Sequence, residues 1–312
     1  PSLVYRSGSG EVVGFIGVIP RRMIWNDRPI RVAVAHRLMV APDCGFPLAA
    51  ARLVKAFFGG PQDLSISDGA NDNGQRFWEG LGGRTAALYS VNWVRPLRAY
   101  RYLAGRFFRG PAYRALTIAS WPLHSLLDRY SSRIWESPAR WAPLKTRDAL
   151  VGVDDLLEPL AHFSGDSAVR PVYDRNSLQW LMARLRENEH RGRFEAIAIH
   201  GRNDEIVGVC LCYTDGRGVT EVILLAARND SVDIVMRHVL YRSWAQGATA
   251  VFGRVDPRLV RNYMACNCVL KRGCWALIHS RDPELLRVVE HGGAFISGLE
   301  GELWLRSPED RL

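Results

Sequence analysis

The 312-residue sequence has no long hydrophobic run, no signal-peptide pattern and no pair of cysteines at C-x-x-C spacing. A membrane-spanning helix needs roughly 18 or more consecutive apolar residues, so the sequence predicts none. The chain begins at Pro1 rather than at Met, and we therefore draw no conclusion about targeting. Nothing in the cysteine pattern requires an oxidising compartment, which makes the cytoplasm the expected location.

The six cysteines include two pairs at Cys-x-Cys spacing, Cys210 with Cys212 and Cys266 with Cys268. On a strand, residues two apart point to the same face, so each pair could offer two thiolates to one metal ion. The surrounding segments are apolar, however, and a free cysteine behaves as a small buried hydrophobe. We therefore expect no metal site.

The composition is that of a folded protein with a basic surface. Hydrophobic residues make up 47% of the chain and charged residues 23%, proportions typical of globular domains. A length of 312 residues suggests about two domains. The formal net charge of +9 favours an anionic partner, such as nucleic acid, a membrane surface or a phosphate-rich cofactor.

The first half of the chain changes from strand-like alternation to helical spacing. Turn residues and helix stop signals separate the segments. The predicted elements are a three-stranded antiparallel meander, a helix, a short strand, a helix and a further strand, at residues 3–40, 48–58, 63–69, 71–80 and 86–94.

The second half repeats this order of elements without sequence similarity to the first half. Two helices are predicted first, at residues 154–163 and 176–185. The remaining strands and helices are expected at residues 194–200, 206–213, 218–226, 231–246 (helix), 249–255, 258–265 (helix), 274–280, 283–291 (helix) and 294–305. Both halves thus contain three strands, a helix, a strand, a helix and a strand, and such a repeat is informative about the architecture.

The repeat predicts an α+β protein with two domains, each a mixed, mostly antiparallel sheet flanked by helices. We place these domains at residues 1–94 and 148–312. The intervening residues 95–147 are basic, aromatic and interrupted by proline, which favours a helical connector. A peripheral contact with a membrane surface through residues 95–114 is the alternative.

The most specific motif is the segment Asp68–Arg84, DGANDNGQRFWEGLGGR. Asn71, Gly74, Phe77 and Gly82 fit an N-x-x-A/G helix with a glycine exit, and this segment resembles part of a GNAT-type N-acyltransferase domain. The resemblance implies two GNAT-like domains in tandem and the transfer of an acyl group from acyl-CoA to an amine. The first domain would then lack the first strand and helices of the family.

The resemblance also implies where acetyl-CoA or another acyl-CoA binds as a co-substrate. In the family, backbone N–H groups of a glycine-containing loop before a helix hold the pyrophosphate, because a helix N-terminus favours anions. Here the matching segment, Met39–Leu53, is a partial match, and a turn that binds no phosphate is the alternative. The expected cofactor-binding residues are Met39, Val40, Gly45, Phe46, Ala49, Asn71, Gly74 and Trp78.

Three titratable side chains are candidate acids or bases. His36 is the candidate base, because an imidazole side chain can take up a proton near neutral pH. The alternative is that His36 is a surface residue of a strand without a catalytic role. In the second domain, Tyr263 is a candidate acid and Asp256 a candidate base, with a core tyrosine and a helix cap as alternatives. Trp78 stands where the family usually has a tyrosine acid, and an indole N–H cannot transfer a proton.

The second domain lacks a glycine-containing loop. The segment that follows its third strand, ARNDSVDIVM, has no glycine and carries Asp230 and Asp233, which would repel a phosphate. Asp230 or Ser231 can cap the helix that follows. The first domain is therefore the better candidate for binding acyl-CoA.

The resemblance implies an acyl-CoA-dependent N-acyltransferase that transfers an acetyl group to an amine of a small molecule, a surface sugar or an amino acid. One alternative is an aminoacyl-tRNA-dependent transferase of the cell-wall type, which would explain the basic connector and would make tRNA the partner. The other is a catalytically degenerate GNAT-like pair that acts as a binding or regulatory module. The main prediction expects a small-molecule amine acceptor and no specific nucleic acid.

Overall fold

The computed structural model describes residues 2–42, 46–102, 137–141 and 144–305. Its strands are β1 Leu3–Arg6, β2 Val12–Trp25, β3 Arg28–Val40, β4 Leu64–Ala70, β5 Arg84–Thr85, β6 Val91–Pro96, β7 Arg147–Leu150, β8 Val169–Pro171, β9 Arg193–His200, β10 Ile206–Thr214, β11 Val219–Ala227, β12 Ala250–Arg254, β13 Val269–Arg272 and β14 Trp275–His279. Its helices are α1 Phe46–Phe58, α2 Asp72–Gly80, α3 Asp154–Phe163, α4 Arg175–Glu187, α5 Val232–Ala245, α6 Val260–Ala265 and α7 Pro283–Glu290.

The strands form two seven-stranded sheets. The first sheet has the order β1-β2-β3-β4-β14-β5, with β8 paired to β2, and the second has the order β13-β6-β12-β11-β10-β9-β7. Within each sheet one pair is parallel, β3 with β4 and β11 with β12, and the other pairs are antiparallel. The predicted α+β class with two mixed, mostly antiparallel sheets is confirmed.

The two sheets exchange a strand. β6 leaves the first half of the chain and pairs with β12 and β13 of the second sheet. β14 leaves the second half and pairs with β4 and β5 of the first sheet. The predicted domain limits at residues 94 and 148 stay predictions, and each sheet contains strands from both sides of them.

Apolar side chains fill the space on both faces of each sheet. In the first sheet, alternate residues of β3 point to opposite faces: Val32 and Val34 pack toward α7, and Ala33 and Ala35 pack toward α1. The long β2–β3 hairpin closes at Asn26 and Asp27, which have φ values of 47° and 61° as this kind of tight turn requires. Among the described residues, no helix has both the length and the apolar character needed to cross a membrane.

Two sequence-based strand assignments need correction. Residues 86–94 were expected to form one strand, but a 3-10 helix at Ala87–Ser90 precedes β6, and the buried hydroxyl of Tyr89 donates to the carbonyl of Ala294 at 2.6 Å. Residues 294–305 were also expected to form a strand, but they contain only one isolated bridge and a 3-10 turn at Leu303–Leu305. This C-terminal segment instead forms hydrogen bonds with strands of both sheets, with β11 through Gly298 and with β4 through Glu302.

The strand exchange predicts that neither half folds alone. Residues 1–147 expressed without β14 would leave β4 and β5 without their shared partner, and residues 148–312 would lack β6 between β12 and β13. We expect each fragment to give a poorly dispersed NMR spectrum, while co-expression of the two restores a dispersed one. A well-dispersed spectrum from either fragment alone would contradict this prediction.

Candidate functional site

The parallel strands of each sheet pair for only a short distance. β3 and β4 pair from Val32 and Leu64 to Val34 and Ile66, although both strands continue further. We call the gap between residues 35–40 of β3 and residues 67–70 of β4 the first cleft. In the second sheet, β11 and β12 pair only as far as Val222 and Gly253. We call the gap beyond that pair the second cleft.

A histidine and a glutamate meet in the first cleft. His36 Nδ1 lies 3.3 Å from Glu302 Oε2, and both side chains are largely buried. The other carboxylate oxygen of Glu302 accepts from the hydroxyl of Ser67 at 2.8 Å and from the backbone N–H of Gly69 at 3.2 Å. The carboxylate of Glu302 therefore bridges β3 and β4 and fixes the orientation of the imidazole.

A bulge in β3 follows His36. Gly17 pairs with His36 and Phe15 with Met39, so two residues of β3 face a single residue of β2. Arg37 has a φ of 50° at this point. A Cβ on Gly17 would lie 2.7 Å from the carbonyl oxygen of His36, so the close approach of the two strands requires glycine there. Bulges of this kind redirect side chains at sites.

The C-terminal segment, residues 294–305, contacts both clefts. The backbone N–H of Gly298 donates to the carbonyl of Ile223 in the second cleft at 2.8 Å. Four residues later, the N–H of Glu302 donates to Asp68 Oδ1 in the first cleft at 2.6 Å. A Cβ on Gly301 would lie 1.9 Å from the Asp68 carboxylate, so only glycine allows this packing.

A buried ion pair joins the ends of the two clefts. Arg254 Nη1 of β12 lies 2.6 Å from Asp68 Oδ2 of β4, and its Nη2 donates to the Asp68 carbonyl at 3.0 Å. The side chains of Arg254 and Asp68 are 4% and 0% exposed. Each charge is therefore compensated by the other rather than by water.

Removal of the Asp68 carboxylate is expected to be strongly destabilising. Asp68→Ala leaves the Arg254 charge buried without its partner, a change that typically costs about 3–5 kcal/mol. Urea denaturation measures this loss. The matched control is Glu187→Ala, which breaks the exposed Arg184–Glu187 pair and should cost under about 1 kcal/mol. Equal losses of unfolding free energy in the two variants would show that the buried Arg254–Asp68 pair contributes no more to stability than an exposed pair does.

The described residues that were predicted to bind the cofactor, other than Trp78, surround the open end of the first cleft. Met39 and Val40 end β3, Phe46 begins α1, and Ala49 is buried on α1; Gly45 lies outside the described residues. Asn71 caps α2 by accepting from the N–H of Gly74 at 2.8 Å. α1 has no acidic residue in its first turn. These positions stay predictions for acyl-CoA.

Trp78 belongs to the core beneath the sheet. Its Nε1 donates to the carbonyl of Ile278 at 3.0 Å, and only 5% of the residue is exposed. The ring meets Phe58 edge to face with centroids 4.7 Å apart. These contacts indicate that Trp78 packs α2 against the sheet. They do not support the cofactor contact that was predicted for Trp78.

Tyr263 and Asp256 lie together in the second cleft. The buried Tyr263 hydroxyl accepts from the backbone N–H of Asp256 at 3.2 Å, and its ring stacks on Trp93 at 5.4 Å. Burial raises the pKa of Tyr263, which disfavours proton release near neutral pH. Asp256 caps the turn at Pro257–Leu259 and pairs with Arg258 at 2.6 Å. Their catalytic roles stay predictions, and these contacts favour structural roles.

Carboxylates occupy the start of α5, where the second half would hold a phosphate. Asp230 accepts from Arg228 Nε at 2.6 Å and from the Ser231 hydroxyl at 2.7 Å. The hydrogen bond from Arg228 lowers the pKa of Asp230, so this carboxylate is ionised near neutral pH. Ser231 occupies the N-cap position without a capping side-chain bond. Asp230 thus engages Arg228, a cation that an anionic ligand here would need.

The paired cysteines are buried in the second half of the chain. Cys210 and Cys212 lie in β10, and Cys266 and Cys268 follow α6. A hydrogen bond with Cys212, together with burial, raises the pKa of Cys210, so this thiol is protonated at neutral pH. In the described part of the chain, no three His, Cys, Asp or Glu side chains are grouped as metal ligands would be.

The arrangement of both sheets is that of GCN5-related N-acetyltransferases. The structure superimposes on such a protein from Kribbella flavida with a TM-score of 0.53, 16% identity and 88% of this chain covered. One from Anabaena variabilis gives a TM-score of 0.53, 10% identity and 90% coverage. A probable N-acyltransferase from Enterococcus faecalis gives 0.53, 8% and 89%.

At these identities the likeness concerns the fold. The chain spans 59% to 63% of the length of these three proteins. No protein-family model matches the sequence, and no curated protein is similar to it by sequence. The fold of the GNAT superfamily predicted from the Asp68–Arg84 segment is confirmed, and the tandem arrangement fits the two sheets.

Proposed function

We propose that this chain, which has the fold of GCN5-related N-acetyltransferases, is an acyl-CoA-dependent N-acyltransferase that works in the first cleft. The observation that carries the proposal is the His36–Glu302 pair, which lies where the parallel strands β3 and β4 part. An oriented imidazole beside such a gap can accept a proton from an attacking amine. The acceptor would be an amine of a small molecule, a sugar or an amino acid.

The residues at the open end of the first cleft fit acyl-CoA better than those of the second. The first turn of α1 carries no acidic residue, whereas the first turn of α5 carries Asp233, so the N-terminus of α1 is the better place for a pyrophosphate. The start of α5 carries Asp230, held in place by Arg228. These differences support acyl-CoA binding by the first half.

The side chains of the first cleft have distinct roles in the proposed reaction. Because His36 Nδ1 faces Glu302, Nε2 is the nitrogen left to take the proton as the amine attacks the thioester carbon. Ser67 and Gly69 hold Glu302 in place. The C–S bond breaks and the leaving thiolate is protonated by solvent, because the Trp78 indole is engaged with Ile278.

The alternatives remain distinct predictions. An aminoacyl-tRNA donor would make binding fall steeply with salt, because phosphate contacts release counterions. A non-catalytic GNAT-like module would bind acyl-CoA or another ligand without turnover. The Asp230 carboxylate before α5, which engages Arg228, favours that role for the second half.

Direct binding tests the donor. We expect titration calorimetry with acetyl-CoA and octanoyl-CoA to detect binding of at least one of them, with an affinity that changes little with moderate salt. Release of free CoA on addition of a panel of amines then reports turnover. No binding of either compound at millimolar concentration would contradict the proposal.

The His36–Glu302 pair is tested by a double-mutant cycle. His36→Gln should lower kcat by about 100-fold or more, which is typical for loss of a general base. Glu302→Gln should lower kcat by about tenfold with little change in the Kd for acyl-CoA, because it removes only the orientation of the ring. The double variant should resemble His36→Gln, since the two residues act as one unit.

The control for this cycle is Glu290→Gln, which changes a surface carboxylate that pairs with Arg84. We expect its kcat to be unchanged. Additive effects of the His36 and Glu302 substitutions would show that Glu302 does not act through His36. Unchanged activity in His36→Gln would remove His36 from the mechanism.

A further inference from the structure

A cavity of about 500 Å³ lies at the end of β3 opposite to the predicted acyl-CoA loop. Its walls include Val18 and Pro20 of β2, Ala33 of β3, and Ala56 and Phe57 of α1. The volume falls within the range of roughly 300–1,000 Å³ that is typical of small-molecule sites. The cavity therefore has room for a group much larger than acetyl.

The cavity walls are mainly apolar, and two oppositely charged side chains near them contact protein groups. Glu300, which is 1% exposed, accepts from the Tyr173 hydroxyl and from the Ser297 N–H. Arg21 has the opposite sign, donates to the Leu299 carbonyl at 3.0 Å and lies over the Trp304 ring. Apart from Arg21 Nε, which is buried without a hydrogen-bond partner, the chemistry of the walls suits an uncharged apolar ligand.

The exposed rim of the cavity is also balanced in charge. Arg22 faces Asp174 at 3.4 Å, and Arg31 faces Asp63 at 3.7 Å. Neither pair leaves an excess of one sign that would select an ionic head group. The apolar interior, rather than the rim, is the feature that a ligand would recognise.

Three sites follow one another along β3. Val32 lines the cavity and His36 lies in the first cleft. These two residues are four positions apart on β3, so their side chains share one face of the sheet, and at about 3.3 Å per strand residue they are about 13 Å apart. Met39, beyond His36, is a predicted acyl-CoA contact. On the C-terminal segment, Glu300 of the cavity wall lies two residues before Glu302 of the cleft. A thioester at His36 with its CoA moiety toward Met39 would thus direct its acyl chain to the cavity.

We infer that the acyl group is an unbranched apolar chain substantially longer than acetyl and that the cavity holds its end. This inference rests on the proposed function and deepens it by naming the class of donor. Each buried methylene group strengthens binding by roughly fourfold before the cost of ordering the chain. Octanoyl-CoA is therefore expected to bind at least about 30-fold more tightly than acetyl-CoA.

Filling the cavity tests the inference. Ala56→Trp introduces a large ring from the side of α1, and Lys55→Trp places the same ring on the same helix at a position that does not line the cavity. Titration calorimetry should show that Ala56→Trp weakens octanoyl-CoA binding by about tenfold or more and leaves acetyl-CoA binding unchanged. Lys55→Trp should change neither Kd.

A second variant keeps the test independent of one substitution. Val18→Phe reduces the cavity from the side of the sheet and should show the same selective loss for octanoyl-CoA. Thermal unfolding of each variant verifies that it is folded before its Kd values are compared.

The outcomes separate the inference from the proposed function. Equal affinity of the wild-type protein for acetyl-CoA and octanoyl-CoA would overturn the inference and leave the proposed function standing. Binding of neither compound would overturn both. If Ala56→Trp instead raised the KM for the amine with both acyl-CoA affinities unchanged, the cavity would belong to the acceptor and the inference would be wrong.

Discussion

The carboxylate of Asp68 has no contact with solvent, so its charge must be compensated within the protein. Arg254 supplies the opposite charge at 2.6 Å, and the backbone N–H of Glu302 adds a hydrogen bond of the same length. Asp68 lies on β4 just beyond its pairing with β3, Arg254 ends β12 of the other sheet, and Glu302 belongs to the C-terminal segment. Three distant parts of the chain are thus held at one point.

This junction explains why the first cleft contains a His–Glu pair. Glu302 reaches His36 only because the C-terminal segment is held against Asp68, where Gly301 allows a close approach. The same segment contacts the second cleft through Gly298. The two sheets share an architecture, and the C-terminal segment contacts both clefts: in the first, Glu302 orients an imidazole, and in the second, the backbone of Gly298 binds the carbonyl of Ile223. The exchange of β6 and β14 makes the two halves one structural unit.

Local sequence patterns predicted much of the fold. Alternation over residues 3–40 predicted β1, β2 and β3, and the side-chain oxygen of Asn71 caps α2 as its position before the helix suggested. The strand exchange was not predictable, because β6 and β14 have the same local pattern whichever sheet they join. The short strands β5, β7, β8 and β13 were also missed, since two to four residues carry too little periodicity.

The candidate site was less predictable than the fold. His36 was identified from its strand and its chemistry, whereas Glu302 lies 266 residues away and no spacing rule connects the two. Gly298 and Gly301 were the available signal, because glycine within an apparent strand often marks a close backbone approach. Asp68 was inside the recognised motif, but its partner Arg254 could be found only from the three-dimensional structure.

The measurement that tests this account most directly is a crystal structure of the protein with octanoyl-CoA. The account predicts density in the first cleft, with the pyrophosphate near the start of α1, the thioester beside His36 and the acyl chain directed toward Val32. Density in the second cleft beside Arg228, or no binding at all, would contradict it.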